Sequence, residues 1–388
     1  MSYPEDEFLP FSRPTLSEEA IAEVVSCLRS GWITTGPRVK RFEEDLKTYT
    51  GAPFALALSS ATAGLHLALA ALKLKPGDEV ITSPMTFAAT LNTIVIAGGR
   101  PVLVDVEAGT YNIDVAKIEV AITARTRAIV PVHFAGVPVD LDPLYALAHK
   151  HNLRVIEDAA HAIGTEYKGR RIGSFGDTQV FSFHPNKNIT TGEGGAVITR
   201  DESLAADVSL TRFHGMDREA WNRFGKTGAA HYEIIAPGFK YNMMDIQAAL
   251  GIHQLPELAG FIKRRTELAE RYLAKLAGWP QWQLPGSPSY AHLPAWHLFA
   301  PLLDPLAAKM DRDRFMAEMK ARNIGTAVHY RAAHLYPYYR DHYGFRLGDF
   351  PRAEAISDRI VSLPLFPTMT EADQDRVIAA MADVFAKA

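Results

Sequence analysis

Seven short β-rich runs, separated by loops and helix-like runs in the first 200 residues, constrain this chain more than any other feature. They fall at 53–60, 79–83, 101–106, 128–134, 154–159, 178–184 and 194–199. Several are apolar at nearly every position, as in AIVPVHF (128–134). A strand with one wet face alternates; a run that does not alternate is buried on both faces of a mainly parallel sheet. Helical patterns between the runs, such as 63–72 and 144–150, supply the covering layers. The chain is therefore expected to form a layered α/β domain around a mainly parallel seven-stranded sheet.

The pattern changes after residue 250. Residues 256–276 read as one long amphipathic helix, and 313–322 and 371–385 as further helices. Between them WPQWQLPGSPSYAHLPAW (279–296) is too rich in proline for a helix. The expected organisation is a large α/β domain with an N-terminal arm at 1–255 and a smaller α+β domain with its linking helix at 256–388.

Forty-one Lys and Arg against 44 Asp and Glu give a net charge of −3, which argues against a nucleic-acid partner. The single cysteine, Cys27, excludes an internal disulfide and a multi-cysteine metal site. The acidic, proline-punctuated N-terminus is unlike a secretory signal, and no apolar run reaches 18 residues. A cytoplasmic protein without a membrane partner is expected. No G-x-G-x-x-G follows the first run and HExxH does not occur, which disfavours nicotinamide and zinc chemistry.

Ligands of open parallel sheets gather at the carboxyl ends of the strands. Four segments end there in suggestive residues. SSATAG (59–64) opens a helix with small hydroxyl residues, so its free N–H groups and Thr62 make an anion site, or Ser60 is simply an N-cap. VIEDAAHA (155–162) leaves Asp158 and His161 at a buried strand end, as a carboxylate in need of a partner or as a helix cap beside a core histidine. FSFHPNKNITTGEGG (181–195) carries Lys187 in a turn after a buried strand, where burial would lower its pKa; the alternative is a surface loop lysine. Phe87 offers an aromatic face after a strand end, or belongs to the core. Together an anion cradle, a carboxylate, an aromatic face and a lysine suit pyridoxal 5'-phosphate (PLP).

At these residues the sequence resembles the sugar aminotransferases of the DegT/DnrJ/EryC1/StrS family. SGWITTGP (30–37), SSATAG, PVHFAG (131–136), VIEDAAHA, SFHxxKNITxxEGG, GFKYNxxDI (238–246), AWHLF (295–299) and HYRAAH (329–334) carry the likeness along nearly the whole chain. The resemblance implies the PLP-dependent transferase fold type I (aspartate aminotransferase-like). It implies Lys187 as the Schiff-base lysine, Asp158 as partner of the pyridine nitrogen, and His161 beside the phenolic oxygen. Phe87 would stack on the ring, while Ala61, Thr62 and Ser182 would hold the phosphate. Family members are homodimers with shared sites, and Lys240 and Asn242 lie in the segment that reaches across; many relatives carry Asn where Lys240 stands. Gly31, Trp32, Thr34, Thr35, His184, His329, Tyr330 and His334 match the substrate groove.

The implied reaction moves an amino group from L-glutamate, which leaves as 2-oxoglutarate, to the C4 keto group of a nucleotide-linked sugar. The strings HYRAAH and GFKYN point to the subgroup that makes UDP-4-amino-4-deoxy-L-arabinose from a UDP-4-keto-pentose, for lipid A modification. Pro185, Asn186 and Gly192 depart from that subgroup and keep a 4-keto-6-deoxy sugar open. Lys187 itself argues against the sugar 3-dehydratase branch, where that position is histidine. The lack of a basic recognition helix argues against a PLP-binding regulator.

Overall fold

Each of the seven runs holds a strand in the computed structural model, which describes residues 3–4, 6–216 and 232–387. They are β1 (Phe54–Leu58), β2 (Glu79–Thr82), β3 (Arg100–Leu103), β4 (Thr126–Val130), β5 (Arg154–Asp158), β6 (Thr178–Ser182) and β7 (Gly195–Thr199). The sheet order is β1-β7-β6-β5-β4-β2-β3. Only β7 runs against its neighbours; the other pairings are parallel. The 128–134 run is shorter than its apolar pattern predicts. Beyond Val130 only a single parallel bridge, Val132 with Asp158, continues the pairing before the chain turns at Phe134–Gly136, where Ala135 adopts φ 57°.

The missing alternation has the expected cause. Ile129, Val155, Phe181 and Ile198 face one layer, while Ala128, Val130, Ile156, Val180 and Val197 face the other. The first layer is covered by α2 (Pro37–Thr50), α5 (Leu141–Lys150) and the start of α7 (Asp245–Leu276), the second by α3 (Ala61–Ala71) and α6 (Glu202–Thr211). α1 (Glu18–Ser30) packs on α7, and α4 (Ala88–Ile96) follows β2.

The long helix starts eleven residues earlier than the sequence predicts. Pro256 lies inside α7, not at its start. Its missing N–H and its ring normally break a helix, but α7 is gripped from both ends. Ile252, Leu255 and Leu258 sit in the sheet's core, and Leu268, Tyr272 and Leu276 in a second core with Phe299, Phe315 and Phe366. α8 (Pro305–Ala308), α9 (Arg312–Ala321) and α12 (Glu371–Ala386) pack into that second core, while α10 (Pro337–Tyr343) sets Tyr339 beside Leu91 and Leu103, and α11 (Pro351–Arg359) sets Ala353 and Ile356 in a cluster with Met85 and Phe134. Strand pairing there includes Trp282–Gln283 with Leu302–Leu303, His292–Leu293 with Glu166–Tyr167, and single bridges such as Phe299 with Leu363.

Candidate active site

The parallel strands end on one edge of the sheet, and a cavity of about 240 Å3 opens there. Its walls include Ser60, Ala61 and Thr62 after β1, Thr86 and Phe87 after β2, Asp158 and His161 from β5 and its exit, and Ser182, His184 and Lys187 from β6 and its turn. His329 and Tyr330 close it from the C-terminal part of the chain.

At one wall α3 begins. Ser60 is its N-cap: the hydroxyl accepts from the Ala63 N–H at 3.1 Å. A helix start leaves its first N–H groups without intrahelical partners and favours an anion. β7 comes close enough that a Cβ on Gly195 would lie 2.4 Å from the Ala61 nitrogen. Glycine is therefore required there for α3 to begin where it does.

Asp158 is the last residue of β5 and is 5% exposed. Its Oδ2 accepts from Thr90 Oγ1 at 2.7 Å and its Oδ1 from the Ala160 N–H at 3.2 Å. Thr90 is itself paired with Thr86 at 2.6 Å. Among the described residues no ion pair reaches the carboxylate, and burial pushes its pKa up against those hydrogen bonds and the charge of Lys187. A buried carboxylate that faces a cavity in this way has room for a protonated nitrogen.

Lys187 closes a turn in which its N–H donates to the His184 carbonyl at 2.9 Å, with Pro185 second in the turn. Its amine lies 3.5 Å from His297 Nε2. Burial lowers its pKa to about 8, although Asp158 pulls the other way. His161 accepts the Ala135 N–H on Nδ1 at 3.3 Å, which places its proton on Nε2, 3.0 Å from the Tyr330 hydroxyl. Burial first, and then the charge of Lys187, keep this imidazole neutral. Tyr330 thus receives one hydrogen bond from His161 and retains its own proton to donate into the cavity. Burial also lowers His329 to about 4.

Of the residues named from sequence, Ala61, Thr62, Phe87, Asp158, His161, Ser182, His184, Lys187, His329 and Tyr330 line this one cavity. Phe87 is 61% exposed and does not belong to the core. The others are elsewhere. Lys240 Nζ donates to Asn242 Oδ1 at 2.6 Å, Asn242 Nδ2 donates to Thr35 Oγ1 at 2.5 Å, and Thr35 donates to the Met243 carbonyl. Thr34 accepts the Asp245 N–H, Trp32 Nε1 donates to the Thr35 carbonyl, and Gly31 ends α1 at φ 74°. These residues zip 31–35 to 240–245 outside the cavity. His334 is fully buried beside Glu354 at 2.9 Å and Phe350, and does not reach the cavity.

Sequence reasoning overlooked Thr86, Thr90 and His297. The first two sit four apart in SPMTFAATLN, on one side of a helix start, which is the only signal the sequence offers for them. His297 stands in the AWHLF string without an assigned role.

The residues present fit PLP on three counts: a helix start for a phosphate, a buried carboxylate that no ion pair reaches among the described residues, and an amine made less basic by burial. Residues 14–382 match the DegT/DnrJ/EryC1/StrS aminotransferase family. The chain is 46% identical, over 98% of its length and 97% of the relative's, to the spore coat polysaccharide biosynthesis protein SpsC of Bacillus subtilis. It resembles Helicobacter pylori PseC, an aminotransferase involved in pseudoaminic acid biosynthesis, at TM-score 0.91 and 30% identity, covering 99% of this chain and 100% of that one. It also resembles the PLP form of a sugar aminotransferase from Streptococcus pneumoniae, Spr1654, at TM-score 0.89 and 33% identity, covering 98% of this chain and 99% of that one. The chain belongs to the DegT/DnrJ/EryC1/StrS family: it is a PLP-dependent sugar aminotransferase of fold type I.

Proposed function

We propose that this family member moves an amino group from L-glutamate to the C4 keto group of a nucleotide-linked sugar, with a UDP-4-keto-pentose as acceptor and UDP-4-amino-4-deoxy-L-arabinose as product. The observation that carries the chemistry is the cavity that joins Lys187, Asp158 and the start of α3. PLP, when bound, supplies an aldehyde for an amine and a ring that takes up the electron pair left when a proton leaves carbon.

The protein's own residues do the rest. Ala61, Thr62 and Ser182 hold the phosphate, the first two at the positive end of α3. Asp158, braced by Thr90 and the Ala160 N–H, keeps a proton on the ring nitrogen. Phe87 covers one ring face. The His161 to Tyr330 relay offers a hydroxyl proton to an oxygen in the cavity. An amine with a pKa near 8 is about one-tenth neutral at pH 7, against about 0.03% at an ordinary 10.5. Lys187 is therefore available as a base at carbon, and the same amine returns the proton at the sugar. His184 and His329 face the sugar's side of the cavity.

A shared dimeric site is part of this reading. Lys240, Asn242 and Thr35 fit the cavity of a second copy, since they do not line their own. Their surroundings expose Ile33, Met244 and Leu28, large apolar residues suited to burial against a partner. Dimers mixed from K187A and K240A chains test this: recovered activity supports a shared site, and none refutes it.

A second acceptor class, the 4-keto-6-deoxy hexoses, is kept open by the departures at Pro185, Asn186 and Gly192 and by relatives named for spore coat polysaccharide (SpsC) and pseudoaminic acid (PseC) biosynthesis rather than for a pentose. The deciding experiment gives the enzyme glutamate and a panel of UDP-, dTDP- and GDP-linked 4-keto sugars and reads product mass. Amination of the UDP-pentose alone supports the first acceptor; amination of a 6-deoxy hexose alone replaces it.

A further inference from the structure

We propose that the buried imidazole of His297 donates its Nε2–H to the neutral form of the Lys187 amine and so favours that form, with its ring against His161 and its backbone held by Arg265. This deepens the reading of Lys187 as the reacting amine and rests on it.

The ring has little freedom. It lies 4.3 Å from the His161 ring. Its backbone is held from behind by Arg265, fully buried on α7, whose Nη1 donates to the carbonyls of Trp296 at 3.2 Å and His297 at 3.3 Å. The Leu298 N–H, next in sequence, donates to the Ala135 carbonyl. His297 is thus a side chain whose two nitrogens have fixed addresses. Nε2 is 3.5 Å from Lys187 Nζ, and Nδ1 is buried with no hydrogen-bond partner among the described residues.

Those two addresses select a tautomer. A doubly protonated ring would bury an uncompensated charge between Lys187, His161, His329 and the Arg265 guanidinium, the groups that face it. A neutral ring with its proton on Nδ1 would leave a buried donor unpaired. A neutral ring with its proton on Nε2 leaves only an acceptor unpaired, which buried structures tolerate better. The proton is therefore on Nε2, where Lys187 Nζ is the nearest partner. An N–H can donate only to a lone pair, so this contact is made by the neutral form of the amine and favours it over the ammonium. The long 3.5 Å separation suits a neutral N–H···N contact, since charged pairs are shorter. Asp158 opposes this by favouring the ammonium, which leaves the amine between two partners that prefer different protonation states.

The test needs no turnover. In cofactor-free protein the rate at which trinitrobenzenesulfonate labels Lys187, read by peptide mass, is followed against pH. H297F keeps a ring but loses the N–H, and its midpoint should rise by about half to one pH unit. H297Q, whose amide can donate from a similar position, should restore the wild-type midpoint. A midpoint in H297F that stays put or falls overturns the proposal, the fall meaning that the ring accepts from an ammonium. Nitrogen-15 shifts of His297 in the wild-type protein provide a reading that does not depend on any variant folding: protonated Nε2 and bare Nδ1 support it, and the opposite tautomer or an imidazolium refutes it. Borohydride fixation of PLP on the wild-type chain is run beside these. If the cofactor is not fixed at Lys187 the functional reading fails, whatever the titration shows.

Discussion

Lys187 should weaken the very fold that displays it. Its pKa in the folded chain is about 8, against an ordinary 10.5. A folded value below the unfolded one means that protonation opposes folding. The cost is complete below about pH 8, shrinks as the pH climbs, and is gone above about 10.5. At 1.36 kcal/mol for each pH unit, the gap amounts to about 3 kcal/mol at pH 7 and about 1.4 kcal/mol at pH 9.5. K187M keeps the length of the stem and removes the charge. Cofactor-free K187M should therefore be more stable than cofactor-free wild type at pH 7, by about 3 kcal/mol, a figure that already includes the attraction between the ammonium and Asp158. The gain should fall to about half at pH 9.5. Urea midpoints at both pH values, at one protein concentration so that any association is held constant, give the answer. Most substitutions at half-buried positions destabilise, so the sign alone is informative. A K187M protein that is less stable at pH 7, or a gain that does not change with pH, would refute the claim that the amine is buried at a cost.

Other substitutions separate the roles of neighbouring groups. D158N should fold and lose at least about 100-fold in turnover, because an amide cannot stabilise charge on a protonated ring nitrogen; steady-state rates with unchanged circular dichroism check it. T90V deletes the donor to Asp158 Oδ2 and, at about 1.5–3 kcal/mol for a hydrogen bond to a charged acceptor, should lower kcat by about 10- to 150-fold. H334A should cost about 2–4 kcal/mol in urea unfolding and leave KM for the sugar within about twofold, since His334 is packed on Phe350 and bonded to Glu354 away from the cavity.

The strands and their functional ends were legible because the physics behind them is local. An apolar run followed by Ser, Asp or a turn-bound Lys marks a buried strand and what it displays, and β1, β5 and β6 all follow that rule. Thr90 was not legible as a brace, because its partner is 68 residues away and meets it only across the packed layers. His297 stands 110 residues from Lys187 for the same reason. Pro256 misled in a different way. Proline at the first turn is a genuine helix-start signal, and only the burial of α7 in two cores lets the helix pass through it. His334 shares a string with His329 and Tyr330, but the turn at Ala333–Leu335 sends its ring inward.

Two adjacent carboxylates on β5 show how the fold separates structure from chemistry. Glu157 and Asp158 are almost equally buried and, as neighbours in a strand, point to opposite faces. Glu157 is sealed into the first layer by His133 at 2.7 Å, Tyr145 at 2.6 Å and Gln179 at 2.6 Å, so its oxygens are spoken for within the chain. Asp158 receives one hydroxyl and one amide hydrogen and turns the rest of its accepting capacity to the cavity. A structural acid needs its partners before a ligand arrives; a ligand-holding acid must leave one out. The same omission recurs at Lys187, whose amine has, among the described residues, His297 as its one hydrogen-bond contact. Unfavourable burial on this side of the sheet is therefore concentrated where a cofactor and substrate can relieve it. Saturating PLP should in consequence raise the stability of wild-type protein more than that of D158N, and equal gains would mean that Asp158 does not face the cofactor.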